Sequence, residues 1–424
     1  MNEIEAVGAE ALLTSTNAPP TRIPERPWLF AFLIAPMAVL SNGVVNVLAF
    51  LLRRQDVSVA RSAEIVSLLI LPQTIYFLWS PLTDFLLRRR SWLILGAVAS
   101  AVTELLAFHE HSLAQPSAVA LMFLSGCFGQ LVVASCGGIM GTLHTEKGRR
   151  AASSFYQAGS LAFGAIAIFV LAMLAERLQQ PTLGWIAAAM IGFPALAALA
   201  APAQQVLSSE RFASTMQRIW LEFKSTFLNW RAVPYTLLMI FPMGSGAAIG
   251  LLPGIAQDYH VGGHQVAWMN GIAGALLMAV GSLAATLIPS RIRASVGYLS
   301  CGLVNAAMLG VLWLGPLRPS TYFAGVTLYL LTIGASYAMT TAVILEFMGN
   351  SGKSGSGRYA IINSLANVPV AYMTALDGRG DNLWGARGLS ATEAVLGVVG
   401  ASILLSYFLT RGRSTGRPPE LLEL

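Results

Sequence analysis

Residues 71–92 read LPQTIYFLWSPLTDFLLRRRSW: an apolar run, one acid at Asp84, and then three consecutive arginines, Arg88, Arg89 and Arg90. An apolar segment that ends in a fixed acid and a dense basic turn reads as a membrane helix leaving the bilayer on its cytoplasmic face, because Lys and Arg accumulate there and are not translocated. Taken as the second crossing, it fixes the rest. Even-numbered spans descend toward the cytoplasm and odd-numbered spans rise from it.

The composition agrees along the whole chain. Of 424 residues, 55% are hydrophobic and 11% charged, with a mean hydropathy of +0.65; a soluble domain carries roughly 25% charged residues. From Trp28 onward, apolar runs of roughly 17–25 residues alternate with short polar turns, each run long enough to cross about 30 Å of hydrocarbon. Twelve such runs are read at 28–52, 63–86, 91–108, 117–141, 151–175, 183–201, 232–256, 265–288, 295–315, 321–346, 359–377 and 392–410. The expected fold is an all-α membrane protein of twelve transmembrane helices in two six-helix bundles. The bundles occupy 28–201 and 232–410, with a Pro-rich tail at 1–27, a linker at 202–231 and a tail at 411–424. The first tail lacks the basic start and small-residue cleavage site of a signal peptide and reads as disordered.

With this topology, nineteen of the 26 Lys and Arg fall on one side of the membrane, which puts both termini in the cytoplasm. The formal charge of +6 is absorbed by that asymmetry and calls for no nucleic-acid partner. In the linker, Phe212, Met216, Ile219, Trp220, Phe223 and Phe227 recur at helical spacing beside Arg211, Arg218 and Lys224. That is the pattern of an amphipathic helix on the bilayer surface, although an ordinary helical linker gives the same spacing. Cys127, Cys136 and Cys301 lie inside apolar runs and read as small buried hydrophobes.

From Leu48 to Trp92 the chain reads LAFLLRRQDVSVARSAEIVSLLILPQTIYFLWSPLTDFLLRRRSW. The order LLR, V-S turn, P-x-x-x-x-F-L-W-S-P-L-x-D and basic turn resembles the major facilitator superfamily. Within it, the stretch is similar to the branch that holds the bacterial muropeptide permease, the acetyl-coenzyme A transporters and several siderophore permeases. The resemblance implies an inner-membrane secondary transporter working by alternating access around a site between the halves, with protons as the coupling ion; a monomer without cofactor is expected, and with no convincing nucleophile–base pair or metal set an enzyme is not. It also casts Asp84 with Arg88, Arg89 and Arg90 as a gate that joins the halves in one state and parts in the other; the alternative is a solvated topology signal. Two departures stand out. The family's Asp-Arg is Asp84-Phe85 here, and the equivalent turn of the second half keeps Pro289, Arg291 and Arg293 but no acid. Of the implied small-molecule substrates, acyl-coenzyme A derivatives fit least, since no Lys or Arg lies at mid-membrane to meet several phosphates. A transporter-like sensor that binds its ligand without moving it is the competing reading.

Ionisable groups inside a span are costly and point to function. Glu104, near the outer end of the third span, reads either as a proton acceptor or as a side chain snorkelling outward among His109, Glu110 and His111. Glu346, at the end of the tenth span, is a second proton-coupling candidate, or a partner for Lys353 or Arg358. Glu64 and Asp377 are read as wet span ends. The candidate substrate cavity is drawn from uncharged polar groups at depth: Asn42 and Asn46, four apart and so on one face; Asn363 and Asn367, repeating that arrangement; and Gln73, Tyr76, Gln130, Tyr156, Gln157, Asn305 and Tyr337. Each amide reads equally as helix-to-helix glue. In the seventh span Pro242 and Pro253 remove backbone donors among Gly246, Gly250 and Gly254, which predicts a bent or rocking helix, although close helix packing explains glycines repeating at four just as well. The Gly349–Arg358 run GNSGKSGSGR lacks the first glycine of a phosphate loop, and the glycines in DYHVGGH disfavour a helix aligning His260 with His264; neither a nucleotide nor a metal is expected.

Overall fold

The computed structural model describes residues 26–78, 82–83, 87–141, 143, 146–201, 233–289, 292–348 and 362–414, with isolated positions at 214, 217, 220, 221 and 224. Asp84, Arg291, most of both tails and nearly all of the linker lie outside the described residues, as does the side chain of Glu346. Among the described residues there is no strand. Twelve helical segments follow one another: α1 (Leu29–Arg53), α2 (59–78), α3 (Arg89–His109), α4 (Pro116–Gly141), α5 (Glu146–Ala175), α6 (Gln180–Ala200), α7 (233–259), α8 (263–287), α9 (Ala294–Leu314), α10 (Pro319–Met348), α11 (362–384) and α12 (Ala386–Ser414). An all-helical solution is what a bilayer demands, because each backbone N–H and C=O must find its partner within the segment. Nine of the twelve, among the described residues, are long and apolar enough to cross a membrane by length and composition. The remaining three are the irregular or charged ones: α2 with Pro72 inside it, the broken α7, and α11 with Asp377, Arg379 and Asp381.

Local signals explain the boundaries. Ser58 caps α2, its hydroxyl accepting from the Arg61 amide at 3.2 Å, while α4 and α10 open on Pro116 and Pro319, where a missing N–H costs nothing. Along α3 the large side chains Leu95, Val98, Val102 and Leu106 face outward, and Gly96, Ala97, Ser100, Ala101, Thr103 and Glu104 face in. Lipid supplies no force that drives large apolar groups inward, so close packing selects the small and polar face. Ser100 and Ser125 then join α3 to α4 with hydroxyls 2.9 Å apart, each also donating to the other's carbonyl.

Three apolar cores set the shape. The first takes side chains from both halves, from Leu48 and Val66 through Phe108 and Leu171 to Leu251, Tyr259, Leu312 and Leu389, all near the ends remote from the termini. The other two lie nearer the termini and stay within one half each, around Leu33, Leu93 and Ile191 and around Leu238, Leu299 and Val343. Among the described residues the halves therefore share a core on the far side and keep separate cores on the side of the termini. Where they meet, Ser67 on α2 donates to the Ala371 carbonyl of α11 at 2.5 Å. Phe169 on α5 also stacks edge-on against Trp268 on α8, centroids 5.1 Å apart. Arg53 at the end of α1 pairs with Asp258 at the end of α7, 3.1 Å apart.

Two span boundaries need correction. The eleventh helix continues to Trp384 and the twelfth begins at Ala386, so Asp377 is not a wet span end: it is fully buried. Glu64 is exposed and pairs with Arg61 at 2.8 Å.

Candidate functional site

Three helices that lose their regularity face the gap between the halves. α1 widens to π geometry over Ala38–Val44, α8 does so over Ala267–Ile272, and α7 unwinds across 241–246, where Gly244 and Gly246 take φ of +55° and +76°. Such φ values suit glycine alone, and at Gly246 a Cβ would also collide with the Tyr337 hydroxyl. Unwound backbone at membrane depth must find partners elsewhere. Tyrosines from three other helices provide them: Tyr372 donates to the Ile240 carbonyl at 2.7 Å, Tyr298 to Met243 at 2.9 Å and Tyr337 to Ser245 at 3.2 Å.

The gap holds a cavity of about 840 Å³ that continues into a deeper pocket of about 310 Å³, the two sharing Ser41, Asn42, Gln73, Gln157, Tyr337 and Asn367. Of the eleven residues proposed from sequence for this cavity, ten line it. Gln73, Asn42, Tyr76, Gln130, Tyr156 and Gln157 come from the first half, and Tyr337, Asn363 and Asn367 from the second. Asn46 lies in the deeper pocket. Asn305 is the correction. It is buried between α9 and α10, its amide donating to Tyr329 O at 3.2 Å and Thr332 Oγ1 at 2.8 Å, because its side of α9 packs against α10 and not against the gap.

The first-half polar groups are pre-ordered. Asn42 donates to Ser160 Oγ at 3.0 Å, Gln73 to Ser41 Oγ at 3.0 Å, and Asn46 to the Asn42 carbonyl at 2.9 Å. Asn367 mirrors Asn46, donating to the Asn363 carbonyl at 3.0 Å. Ser41, Ser160, Asn270 and Ser245 also line the space and were not singled out from sequence. Asn270, a lone amide in the apolar run of α8, carried the available signal. No Lys, Arg, His, Asp or Glu appears among the described residues lining either part.

Glu104 stands one layer behind. It is fully buried, on the face of α3 turned to α4 and not toward the outer surface, so the snorkelling alternative does not hold. Its side chain borders a void of about 10 Å³ that it shares with Ser41, Gln73 and Gln130, the same side chains that reach the main cavity. That is room for a single water. Ser125 is its polar neighbour, yet neither carboxylate oxygen has a hydrogen-bond partner among the described residues. Of the residues assigned to a gate on the side of the termini, Arg88 is exposed and Arg89 donates to the Gly138 carbonyl of α4 at 2.6 Å; Arg90 is half-buried.

The sequence model described as Major Facilitator Superfamily matches residues 28–371. No curated protein matches the chain. Among solved structures, the peptide transporter POT in complex with sulfate aligns with a TM-score of 0.72 at 12% identity, over 92% of this chain and 97% of that one. The nucleoside transporter NupG aligns at 0.68 and 12%, over 90% and 98%, and a D-xylose-proton symporter at 0.67 and 14%, over 89% and 95%. At such identities the likeness is one of fold.

Proposed function

The chain belongs to the major facilitator superfamily, and we propose that it is a secondary active transporter moving a neutral, polar small molecule across the cytoplasmic membrane by alternating access. The observation that carries the proposal is the inter-half cavity of about 840 Å³, lined by amides, hydroxyls and tyrosines without a charged side chain among its described residues. A ligand with several ionised groups would leave water without counter-charges there, at a cost of several kcal/mol. Neutral siderophores, weakly charged muropeptide fragments and drug-like amphiphiles meet the same donors and acceptors without that cost. Solved proteins of this fold carry peptides, nucleosides and xylose by their descriptions, a range of polar cargo that agrees with this choice.

In this reading the two halves, 28–201 and 232–410, rock about the cavity while the linker keeps them joined. The arginine-rich turns and both termini lie in the cytoplasm, by the distribution of Lys and Arg. Separate cores on the termini side and a shared core opposite then make this the inward-facing state. Glu104 serves as a proton site, because a buried carboxyl with unpartnered oxygens and one water's space from the cavity can exchange a proton only when that path is wetted.

The test is uptake in proteoliposomes, with ligands first selected by thermal shift from muropeptides, siderophores and amphiphilic drugs, since a ligand that prefers the folded state raises its melting point. Wild type is expected to accumulate the selected ligand under an inward proton gradient and to show counterflow; Glu104→Gln should lose accumulation and retain counterflow. Saturable binding without counterflow in wild type would make the protein a sensor and end the transport reading.

A further inference from the structure

A second pair of carboxylates lies buried in the other half. Asp377 on α11 is fully buried and Glu393 on α12 is 4% exposed, and the two are electrostatic neighbours. Their partners differ sharply. Glu393 accepts from the Tyr329 hydroxyl of α10 at 2.8 Å on one oxygen and from the Ala248 amide of α7 at 2.9 Å on the other. Neither oxygen of Asp377 receives a hydrogen bond from any described residue.

Among the described residues, the groups that face the pair add no positive charge. α10 presents Tyr329 and, beyond it, Tyr337; α7 presents backbone; α2, packed against α11, meets it with Ala60, Ala63 and Ser67. The nearby arginines are engaged or turned away. Arg53 pairs with Asp258, Arg387 donates to the Gly315 carbonyl, and Arg379 is exposed. Two ionised carboxylates side by side in that setting repel each other with no described positive charge to offset them. One carboxylate ringed by donors beside another with none is the arrangement of an anion and its protonated neighbour.

We propose that Asp377 and Glu393 form a proton-binding site in the second half, with one shared proton carried by Asp377 and donated toward Glu393, which latches the broken α7 to α10, α11 and α12. The same short stretch of α7 serves both sides: Gly246 and Ile249 line the deeper pocket while Ala248 binds Glu393. A ligand that displaces this stretch therefore pulls on the carboxylate that holds the proton. Buried as it is, the site exchanges its proton only in another conformation. The coupling consequence rests on the transporter reading; the proton site does not.

The experiment is infrared spectroscopy of the purified full-length chain at neutral pH, in a Glu104→Gln background that removes the other buried carboxyl described above. The C=O stretch of a buried protonated carboxylic acid is expected in Glu104→Gln and lost in Glu104→Gln/Asp377→Asn. Should the double variant fail to fold, Glu104→Gln/Glu393→Gln gives the second reading: the band must move, because the acid loses its charged acceptor. A band absent in Glu104→Gln, unchanged by Asp377→Asn or unmoved by Glu393→Gln overturns the proposal. So does its absence with sodium raising the melting temperature, which would make the pair a cation site. None of these readouts needs a substrate, so a failure of transport leaves the result standing and a missing band leaves the transporter reading intact.

Discussion

Replacing Gly378 by alanine puts a methyl group into the crossing of α2 and α11, where the two halves touch. Built on the present backbone, the new Cβ would overlap Ala63 Cβ and lie 3.3 Å from the Ala60 backbone. Carbon atoms settle at about 3.5–4 Å, so the helices must part. No rotamer relieves the clash, because both partners at the closest point are methyl carbons fixed to the backbone. Since α2 belongs to one half and α11 to the other, the strain is relieved by separating the halves at their sealed end. Overpacking of this kind costs about 1–3 kcal/mol, which shifts a two-state equilibrium by about 5- to 150-fold. The assay is pulsed spin-label distance measurement between Arg61→Cys and Arg379→Cys, both at exposed positions near that end, in a background without the three native cysteines. The expected result is a new, longer distance population. An unchanged distribution, with or without a lower melting temperature, would mean that the crossing yields locally and that close approach at Gly378 does not hold the seal.

The Arg53–Asp258 pair should contribute far less. Its side chains are 29% and 31% exposed, so a double-mutant cycle read by the same distances is expected to give a coupling of about 0.2–1 kcal/mol that falls with added salt. Asn305→Ala removes two hydrogen bonds in the α9–α10 contact and should lower unfolding stability by about 1–3 kcal/mol with ligand affinity unchanged, measured by melting and binding side by side. Asn363→Ala should do the reverse, weakening ligand binding up to about tenfold, the loss of one hydrogen bond of about 1.5 kcal/mol, at constant melting temperature.

Much of the fold was legible because lipid imposes one-dimensional rules. Apolar length and the placement of Lys and Arg are local properties, and the charge step at Leu71–Trp92 set the order of the rest. The site was legible only in depth. Asn305 and Asn363 carry the same signal in sequence, an amide within an apolar run, and differ in which neighbour their side of the helix meets; hydropathy contains no such azimuth. Glu393 was missed for a related reason. A span read from residue 392 puts Glu393 at its very end, whereas the helix begins at Ala386 and carries the acid inside. The prolines and glycines of α7 did announce a bend. That three tyrosines from α9, α10 and α11 would receive the unwound carbonyls is a long-range fact that no local pattern holds.

The distribution of irregular backbone separates what must move from what must hold. The π segments of α1 and α8 and the unwound stretch of α7 all border the cavity, and each places a bendable step within reach of a ligand. At the sealed end the crossing of α2 and α11 is made of regular helix and small side chains, beside the partly exposed Arg53–Asp258 pair. Moving a two-state equilibrium from 1:99 to 99:1 takes about 5.5 kcal/mol of differential affinity, close to the whole binding energy of a ligand with a dissociation constant near 0.1 mM. A seal much stronger than a few kcal/mol could not be opened by such a ligand. The α2–α11 crossing, which an added methyl perturbs by about 1–3 kcal/mol, and an ion pair worth less than one are contacts of the size that a small molecule and a proton can reverse.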